Sequence, residues 1–173
     1  KSKFGMLLMA ICDNKCRFRW ADITHPGCAS DLTAWLTSDL GQALEKPDQD
    51  ILLPGHSIFG DNAFVESYYM STPIPGTRIS GYDDAYNFYF SQLRITIERA
   101  FGILVHRFAI LRAPISMSIK KVPALVMGLM KLHNFYVSEG GRKIVAGLED
   151  DEAFIQYRAW RENSVAVSLN KNR

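Results

Sequence analysis

One stretch of this chain, residues 87–104, combines a polar stripe with an apolar face at helical spacing, and it constrains the fold more than any other segment. Its polar stripe consists of Asn87, Ser91, Arg94, Glu98 and Gly102. Its apolar positions recur every three or four residues: Phe90, Leu93, Ile97, Phe101 and Leu104. We therefore expect a helix on which the carboxylate of Glu98 borders the interior, while Arg94, one turn earlier, attracts an anion or simply pairs with Glu98.

Further elements can be predicted on either side of that helix. Residues 4–12 form an apolar run, a polar turn follows at 13–15, and apolar and basic residues then alternate, which indicates two strands joined by a hairpin. A helix is predicted over about 31–45 and a short strand at 57–60. The Glu98 helix should begin near Tyr82, and the next helix should run from Val122 to Val137.

The composition predicts one folded core. The 173 residues are 47% hydrophobic and 12% aromatic, so we expect a single domain over residues 1–138. Residues 139–173 form a C-terminal extension with one short amphipathic helix predicted over Asp151 to Glu162, suited to docking on the core or on a partner. The apolar runs are too short or too interrupted for a membrane span, and no signal-peptide cleavage pattern is visible, so an intracellular protein is expected.

The net charge of +2 is mild, unlike that of a dedicated, strongly basic nucleic-acid-binding module. Its distribution is more informative, because basic residues accumulate along and just after the Glu98 helix. This basic stripe consists of Arg94, Arg99, Arg107, Arg112, Lys120 and Lys121. It is explained either by contacts to phosphates or by an ordinary solvated helix face.

Several blocks of the sequence resemble those of a known family. Residues 94–111, RITIERAFGILVHRFAIL, resemble the R-x-x-x-E-R-x-F-G-x-L-x-x-R-F-x-x-L signature of PIF/Harbinger-type transposases. The upstream blocks PGCASD (26–31) and GDNAF (60–64) and the downstream KLHN (131–134) resemble further blocks of that family, in the same order. The resemblance extends over roughly residues 4–138.

This resemblance implies an α/β fold: an RNase H-like mixed sheet flanked by helices, with a DDE nuclease site in which three carboxylates hold two divalent cations, Mg²⁺ or Mn²⁺. Such hard cations prefer carboxylate oxygens, and they neutralise charge during phosphoryl transfer. The second acid of the family falls on Asp61 and the third on Glu98. The first acid belongs to a strand expected before the segment where this sequence starts. Asp13, at the hairpin tip, and Asp22, at a strand end, are not expected to replace it.

Other candidate residues have competing explanations. Ser30 or Asp31 can cap the helix that follows, but Asp31 also ends a family block and can serve as a metal ligand. Asp61 can be a simple turn residue. His133 is expected to be a core histidine rather than a catalytic group. For substrate binding we predict Asn87, Arg94 and Arg99.

Three cysteines without a secretory context indicate reduced thiols rather than a disulfide framework. A zinc site is an alternative use of these residues. Cys12, Cys16, His25 and Cys28 supply four ligand types within a short span. Ordinary strand and turn positions explain the same residues.

The leading hypothesis is therefore a metal-dependent DNA endonuclease or transposase domain that cleaves phosphodiester bonds, with the choice between hydrolysis and strand transfer left open. The resemblance further implies nuclear action, DNA as substrate and a separate Myb-like or helix-turn-helix DNA-binding partner, with homo-oligomerisation left open. The rival hypothesis is a domesticated, catalytically inactive descendant that acts as a protein-interaction or chromatin-associated module.

Overall fold

The computed structural model describes residues 5–46, 51–76 and 81–139, and these form a mixed α/β structure, in agreement with the predicted class. The strands are β1 (Met9–Cys12), β2 (Phe18–Asp22), β3 (Ile58–Phe59) and β4 (Met70–Ser71). The helices are α1 (Asp31–Thr37), α2 (Asp39–Leu44), α3 (Gly81–Arg107) and α4 (Val122–Ser138). Short 3₁₀ turns at Ala109–Arg112 and Ile119–Lys121 separate α3 from α4.

The described residues cluster into two compact units. The first unit consists of residues 5–14 and 18–97, apart from the two gaps, and the second consists of 15–17 and 98–139. The extension predicted from residue 139 onward, with its helix over Asp151–Glu162, lies outside the described residues except for its first residue. The domain boundary at residue 138 therefore stays a prediction.

The strands of the first unit form two small sheets. β1 pairs antiparallel with β2, from Met9 opposite Asp22 to Cys12 opposite Phe18, with an irregularity after Ile11, which confirms the predicted hairpin. β3 confirms the strand predicted at 57–60, and it pairs in parallel with β4, which the sequence did not predict. Within the described residues these are separate two-stranded sheets, so the single mixed sheet expected from the resemblance is not visible in this part of the chain.

The helix predicted over 31–45 is interrupted at Ser38, which ends α1 and begins α2. Its extended backbone (ψ 155°) is incompatible with a continuous helix. The buried hydroxyl of Ser38 accepts from the amide of Gly41 at 3.0 Å and donates to the carbonyl of Trp35 at 2.7 Å. A serine that satisfies both helix ends offsets the loss of intrahelical hydrogen bonds at the break.

The core of the first unit is built around Trp35 of α1. Its ring meets those of Trp20, Phe64 and Tyr69 at centroid distances of 5.8, 6.1 and 6.4 Å. Leu44 and Met70 are buried in the same cluster. Edge-to-face ring pairs add stabilisation to the burial of apolar area, so one side chain holds together α1, the hairpin and the segment from β3 to β4.

Helix α3 is confirmed, but its buried face differs from the predicted one. Within the first unit Phe90 is buried at 2% exposure, whereas Leu93 is 49% exposed, so the assignment of Leu93 to the buried face was wrong. In the second unit Leu104 is buried as expected, and Ala100 and Ile103 are buried with it. The apolar spacing therefore predicted the helix correctly but did not identify every buried position.

The second unit has α4 as its main further element, close to the predicted range Val122–Val137. Its buried positions recur at helical spacing: Val126, Met130, His133 and Val137. His133 has no exposed surface, and its Nε2 lies 2.7 Å from the carbonyl oxygen of Cys16, which confirms the prediction of a core histidine. Among the described residues, no helix is long and apolar enough to cross a membrane.

His133 makes stability depend on pH. Burial lowers the pKa of this imidazole below its usual 6.5, and the positive charge of Arg107 adds to the effect. Below about pH 6.5, His133 therefore binds a proton more readily in the unfolded chain than in the folded chain. We expect the free energy of unfolding to fall as the pH decreases from 7 through 6.5 towards 5, measured by urea unfolding. In His133→Gln the part of this pH dependence that comes from the imidazole should be absent. An equally steep acid dependence in the variant would contradict the assignment.

Candidate active site

Asp61 lies two residues after the end of β3, where it shapes a turn and faces the guanidinium of Arg94. Its Oδ1 accepts from the amide of Ala63 at 2.9 Å, and its carbonyl accepts from the amide of Phe64 at 3.1 Å. The turn role expected for an aspartate after a strand is thus confirmed. The hydrogen bond from Ala63 uses only part of the acceptor capacity of the Asp61 carboxylate, because each oxygen offers two lone pairs.

The other oxygen of Asp61 lies near Arg94 of α3. Nη2 of Arg94 and Oδ2 of Asp61 are 3.9 Å apart, and both side chains are about one third exposed, at 30% and 38%. This separation is an ion pair rather than a hydrogen bond. Arg94 was expected to act beside Glu98, which stays a prediction, and the structure places Asp61 beside it.

Asp31 occupies the first turn of α1, and Ser30 is the residue that caps this helix. The hydroxyl of Ser30 accepts from the amide of Thr33 at 3.1 Å, which resolves the alternative between Ser30 and Asp31 as the cap. Burial raises the pKa of Asp31, and the negative charge of Asp61 raises it further. Two carboxylates from separate sequence blocks are therefore electrostatic neighbours, with Arg94 beside one of them.

Asp61 after β3, Asp31 at the start of α1 and Arg94 on α3 form a group that is consistent with phosphodiester chemistry. The family model described as DDE superfamily endonuclease matches residues 1–134, more than half of the chain. The chain belongs to the DDE superfamily endonucleases. Searches of curated proteins and of solved structures gave no significant match. Membership indicates transposase-type nuclease activity on DNA, and nucleases of this superfamily generally use divalent metals.

In this DDE endonuclease Glu98 and Arg99 lie on α3, within the residues of the second unit, and both are half-buried. Glu98 is one helical turn after Arg94. Gly102, another turn later, is buried. The roles of Glu98 as a metal ligand and of Arg99 as a phosphate contact stay predictions.

Asn87 holds a neighbouring segment in place. Its side-chain oxygen accepts from the amide of Ile74 at 2.9 Å, and its side-chain nitrogen donates to the carbonyl of the same residue at 3.0 Å. The amide side chain thus pairs with a peptide group as another strand would. Asn87 was predicted to bind substrate, and the structure gives it a positioning task for residues 73–76, while substrate contact stays a prediction.

Two residues of the basic stripe, Arg107 and Arg112, are occupied by intramolecular contacts. The guanidinium of Arg107 lies 3.1 Å from the ring centroid of Tyr136. Arg112 donates to the carbonyls of Val105 and His106 near the C-terminal end of α3. Cations at a helix C-terminus stabilise its unpaired carbonyls. Arg107 and Arg112 therefore have structural roles, so the whole stripe does not serve as a phosphate-binding surface.

The zinc alternative was wrong. Within the described residues, which include all four proposed ligands, no group of three or more His, Cys, Asp or Glu side chains is arranged to hold a metal ion. Nε2 of His25 lies 2.9 Å from Oγ1 of Thr37, and its Nδ1 lies 3.0 Å from Oγ1 of Thr24. Both ring nitrogens of His25 thus have protein partners, which is typical of a structural histidine.

Gly60, directly before Asp61, packs closely against two core side chains. A Cβ at Gly60 would lie 2.9 Å from both Sδ of Met70 and Cδ2 of Phe64. The amide of Gly60 also donates to the carbonyl of Ser71 at 2.9 Å, which continues the β3–β4 pairing. The glycine of the GDNAF block is therefore required for packing, a role that the sequence alone did not reveal.

Gly60→Ala should lower the free energy of unfolding by about 1–3 kcal/mol, because the added methyl group displaces Phe64 and Met70. The variant is compared by urea unfolding with Gly81→Ala, where the added Cβ meets no atom within 4 Å. The control should be neutral or slightly stabilised. Equal stability of Gly60→Ala and the parent chain would show that the packing around Asp61 is looser than described.

Proposed function

We propose that this chain is the catalytic part of a PIF/Harbinger-type transposase nuclease, which cleaves DNA phosphodiester bonds with Mg²⁺ or Mn²⁺ and also supports strand transfer. The observation that carries the proposal is the position of Asp61. It follows a strand, lies within electrostatic range of Asp31 and faces Arg94, inside a chain that matches the endonuclease family over residues 1–134.

The residues near Asp61 suit a hard divalent cation. Mg²⁺ usually takes one or two protein carboxylates and completes its coordination with water and substrate phosphates. The described part of the chain contains no preassembled group of three ligands, but such a cage is not required for this mode of binding. Asp61 and Glu98 would hold the cations as the family resemblance implies, and Asp31 would supply a further carboxylate near Asp61.

Each residue has a separate task in this proposal. When bound, the cations would neutralise charge on the non-bridging oxygens and activate the nucleophile. The nucleophile is water in hydrolysis and a DNA 3′-hydroxyl in strand transfer. Arg94 binds the phosphate, because a planar guanidinium donates two parallel N–H bonds to such a group. The turn at 61–64 fixes the carboxylate of Asp61 through the Ala63 amide, so little ordering is needed when DNA binds.

The finer parts of the proposal rest on the resemblance alone. These are the RNase H-like sheet, action in the nucleus and cooperation with a Myb-like or helix-turn-helix DNA-binding protein. Two elements within the stretch that the resemblance covers, the hairpin of β1 and β2 and the helix with Glu98, occur where the sequence pattern predicts them.

Titration calorimetry with Mn²⁺ tests the metal site. We expect the parent chain to bind Mn²⁺, with affinity reduced at least about tenfold in Asp61→Asn and in Glu98→Gln, because each removes one anionic ligand. The matched control is Glu66→Gln, an exposed carboxylate five positions beyond Asp61, which should bind as the parent does. Unchanged affinity in the two site variants would contradict the proposal.

A nicking assay with supercoiled plasmid and Mn²⁺ distinguishes the nuclease hypothesis from the hypothesis of a catalytically inactive module. Activity that disappears in Asp61→Asn but not in Glu66→Gln supports the nuclease. Mn²⁺ binding without nicking by the parent chain favours a descendant that has kept its metal site but lost catalysis.

A further inference from the structure

A cavity in the first unit lies between residues 73–76 and the first half of α3, beside the proposed phosphate-binding residue. Its volume is about 290 Å³. Its apolar wall is formed by Pro73, Pro75 and Phe90, and its polar positions include Asn62, Ser91 and Arg94. No step of the proposed cleavage uses this cavity.

The walls of the cavity are fixed by hydrogen bonds, restricted backbone and ring contacts. The two hydrogen bonds from Asn87 attach Ile74 to α3 at 2.9 and 3.0 Å. Proline at 73 and 75 restricts the backbone of the same segment. Phe90, with 2% exposure, is fixed by ring contacts to Phe59 and Tyr86 at 5.6 and 5.7 Å. A preformed pocket binds without the cost of ordering its walls.

The chemistry of the walls selects the ligand. Pro73 and Pro75 offer apolar surface above the buried ring of Phe90, while an asparagine and a serine offer hydrogen bonds to a polar edge. Arg94 adds a cation at the end nearest Asp61. Its distance of 3.9 Å from Asp61 exceeds a hydrogen bond, so its N–H donors can also reach an anion. A flat ring with a polar edge and an attached phosphate is a nucleotide.

We propose that this cavity binds one unpaired base of the DNA substrate, with the phosphate of that nucleotide on Arg94. The inference rests on the proposed nuclease function and adds a requirement to it. The volume is at the lower limit of about 300 Å³ for ordinary ligand pockets, which suits a single ring system rather than a base pair. The base must therefore leave the stack, at a frayed end or an extrahelical position, before its phosphate reaches Asp61.

Binding of DNA by the parent chain without divalent metal tests this directly. Fluorescence anisotropy compares a labelled duplex that carries one unpaired adenosine with the same duplex carrying an abasic nucleotide at that position. We expect the duplex with the base to bind about tenfold more tightly, the order of magnitude for holding one base on an apolar surface. Equal affinities for the two duplexes would overturn the inference.

Variants locate the effect within the cavity. Ser91→Trp fills the cavity and should abolish the tenfold preference, whereas Gln92→Trp places the same side chain at an exposed neighbouring position outside the lining and should preserve it. Thermal unfolding checks that both variants are folded. If Ser91→Trp does not fold, the comparison of the two duplexes with the parent chain still decides the question.

The outcomes separate this inference from the function on which it rests. DNA binding with no preference for the base overturns the pocket and leaves the nuclease proposal intact. A preference for the base without Mn²⁺ binding in calorimetry overturns the metal-dependent nuclease and retains the pocket. Failure to bind either duplex without metal overturns the pocket, and the nuclease proposal is then decided by Mn²⁺ calorimetry and plasmid nicking.

Discussion

The position of Trp35 is the constraint on which the first unit depends. Its ring contacts Trp20 from the hairpin, Phe64 from the turn after β3 and Tyr69 before β4. These segments are distant in sequence and contain little regular structure of their own, so their arrangement follows from a shared apolar contact rather than from extended strand pairing. Truncation of such a buried aromatic ring typically costs about 3–5 kcal/mol, a large part of the stability of a small unit.

This packing also explains why two acids from separate sequence blocks are neighbours. Asp31 lies one helical turn before Trp35, and Asp61 lies three residues before Phe64, which contacts the Trp35 ring. Gly60 has no side chain, so Phe64 and Met70 pack closely next to Asp61. An apolar core thus holds the two carboxylates near each other. Burial and, to a smaller extent, the charge of Asp61 raise the pKa of Asp31, and Arg94 lies 3.9 Å from Asp61.

The sequence predicted local features well, because these depend on nearby residues. The polar turn at 13–15 predicted the hairpin, and apolar spacing predicted α3 and α4. The break at Ser38 escaped prediction because the apolar positions continue across it, while the hydroxyl contacts that stabilise it depend on three-dimensional geometry. β4 has two residues and exists through its pairing with β3. Leu93 had the spacing of a buried residue, but the residues around α3 leave it exposed.

Prediction of the candidate site was similarly divided. The block patterns suggested Asp61, Glu98 and Asp31 as site residues. The association of Asp61 with Arg94 and the attachment of the segment at 73–76 to α3 became visible only in the three-dimensional structure. Asn87 illustrates the difficulty, since a polar residue on a helical stripe can bind a ligand or a backbone peptide group with the same amide. The hydrogen bonds between the Asn87 side chain and the backbone of Ile74 show that the amide binds a peptide group here. The spacing of cysteines and histidine likewise allowed a zinc site as an alternative to ordinary strand and turn positions, whereas hydrogen bonds to Thr24 and Thr37 engage both ring nitrogens of His25.

Paramagnetic line broadening by Mn²⁺ in the amide NMR spectrum tests the central claim, that Asp61 and Glu98 hold the catalytic cation, most directly. A substoichiometric titration of the isotope-labelled chain should first broaden the amide signals of the residues around Asp61 and Glu98, and Asp61→Asn should remove both effects together. Broadening confined to exposed acids such as Glu66, or broadening near Asp61 and Glu98 that persists in Asp61→Asn, would contradict the account.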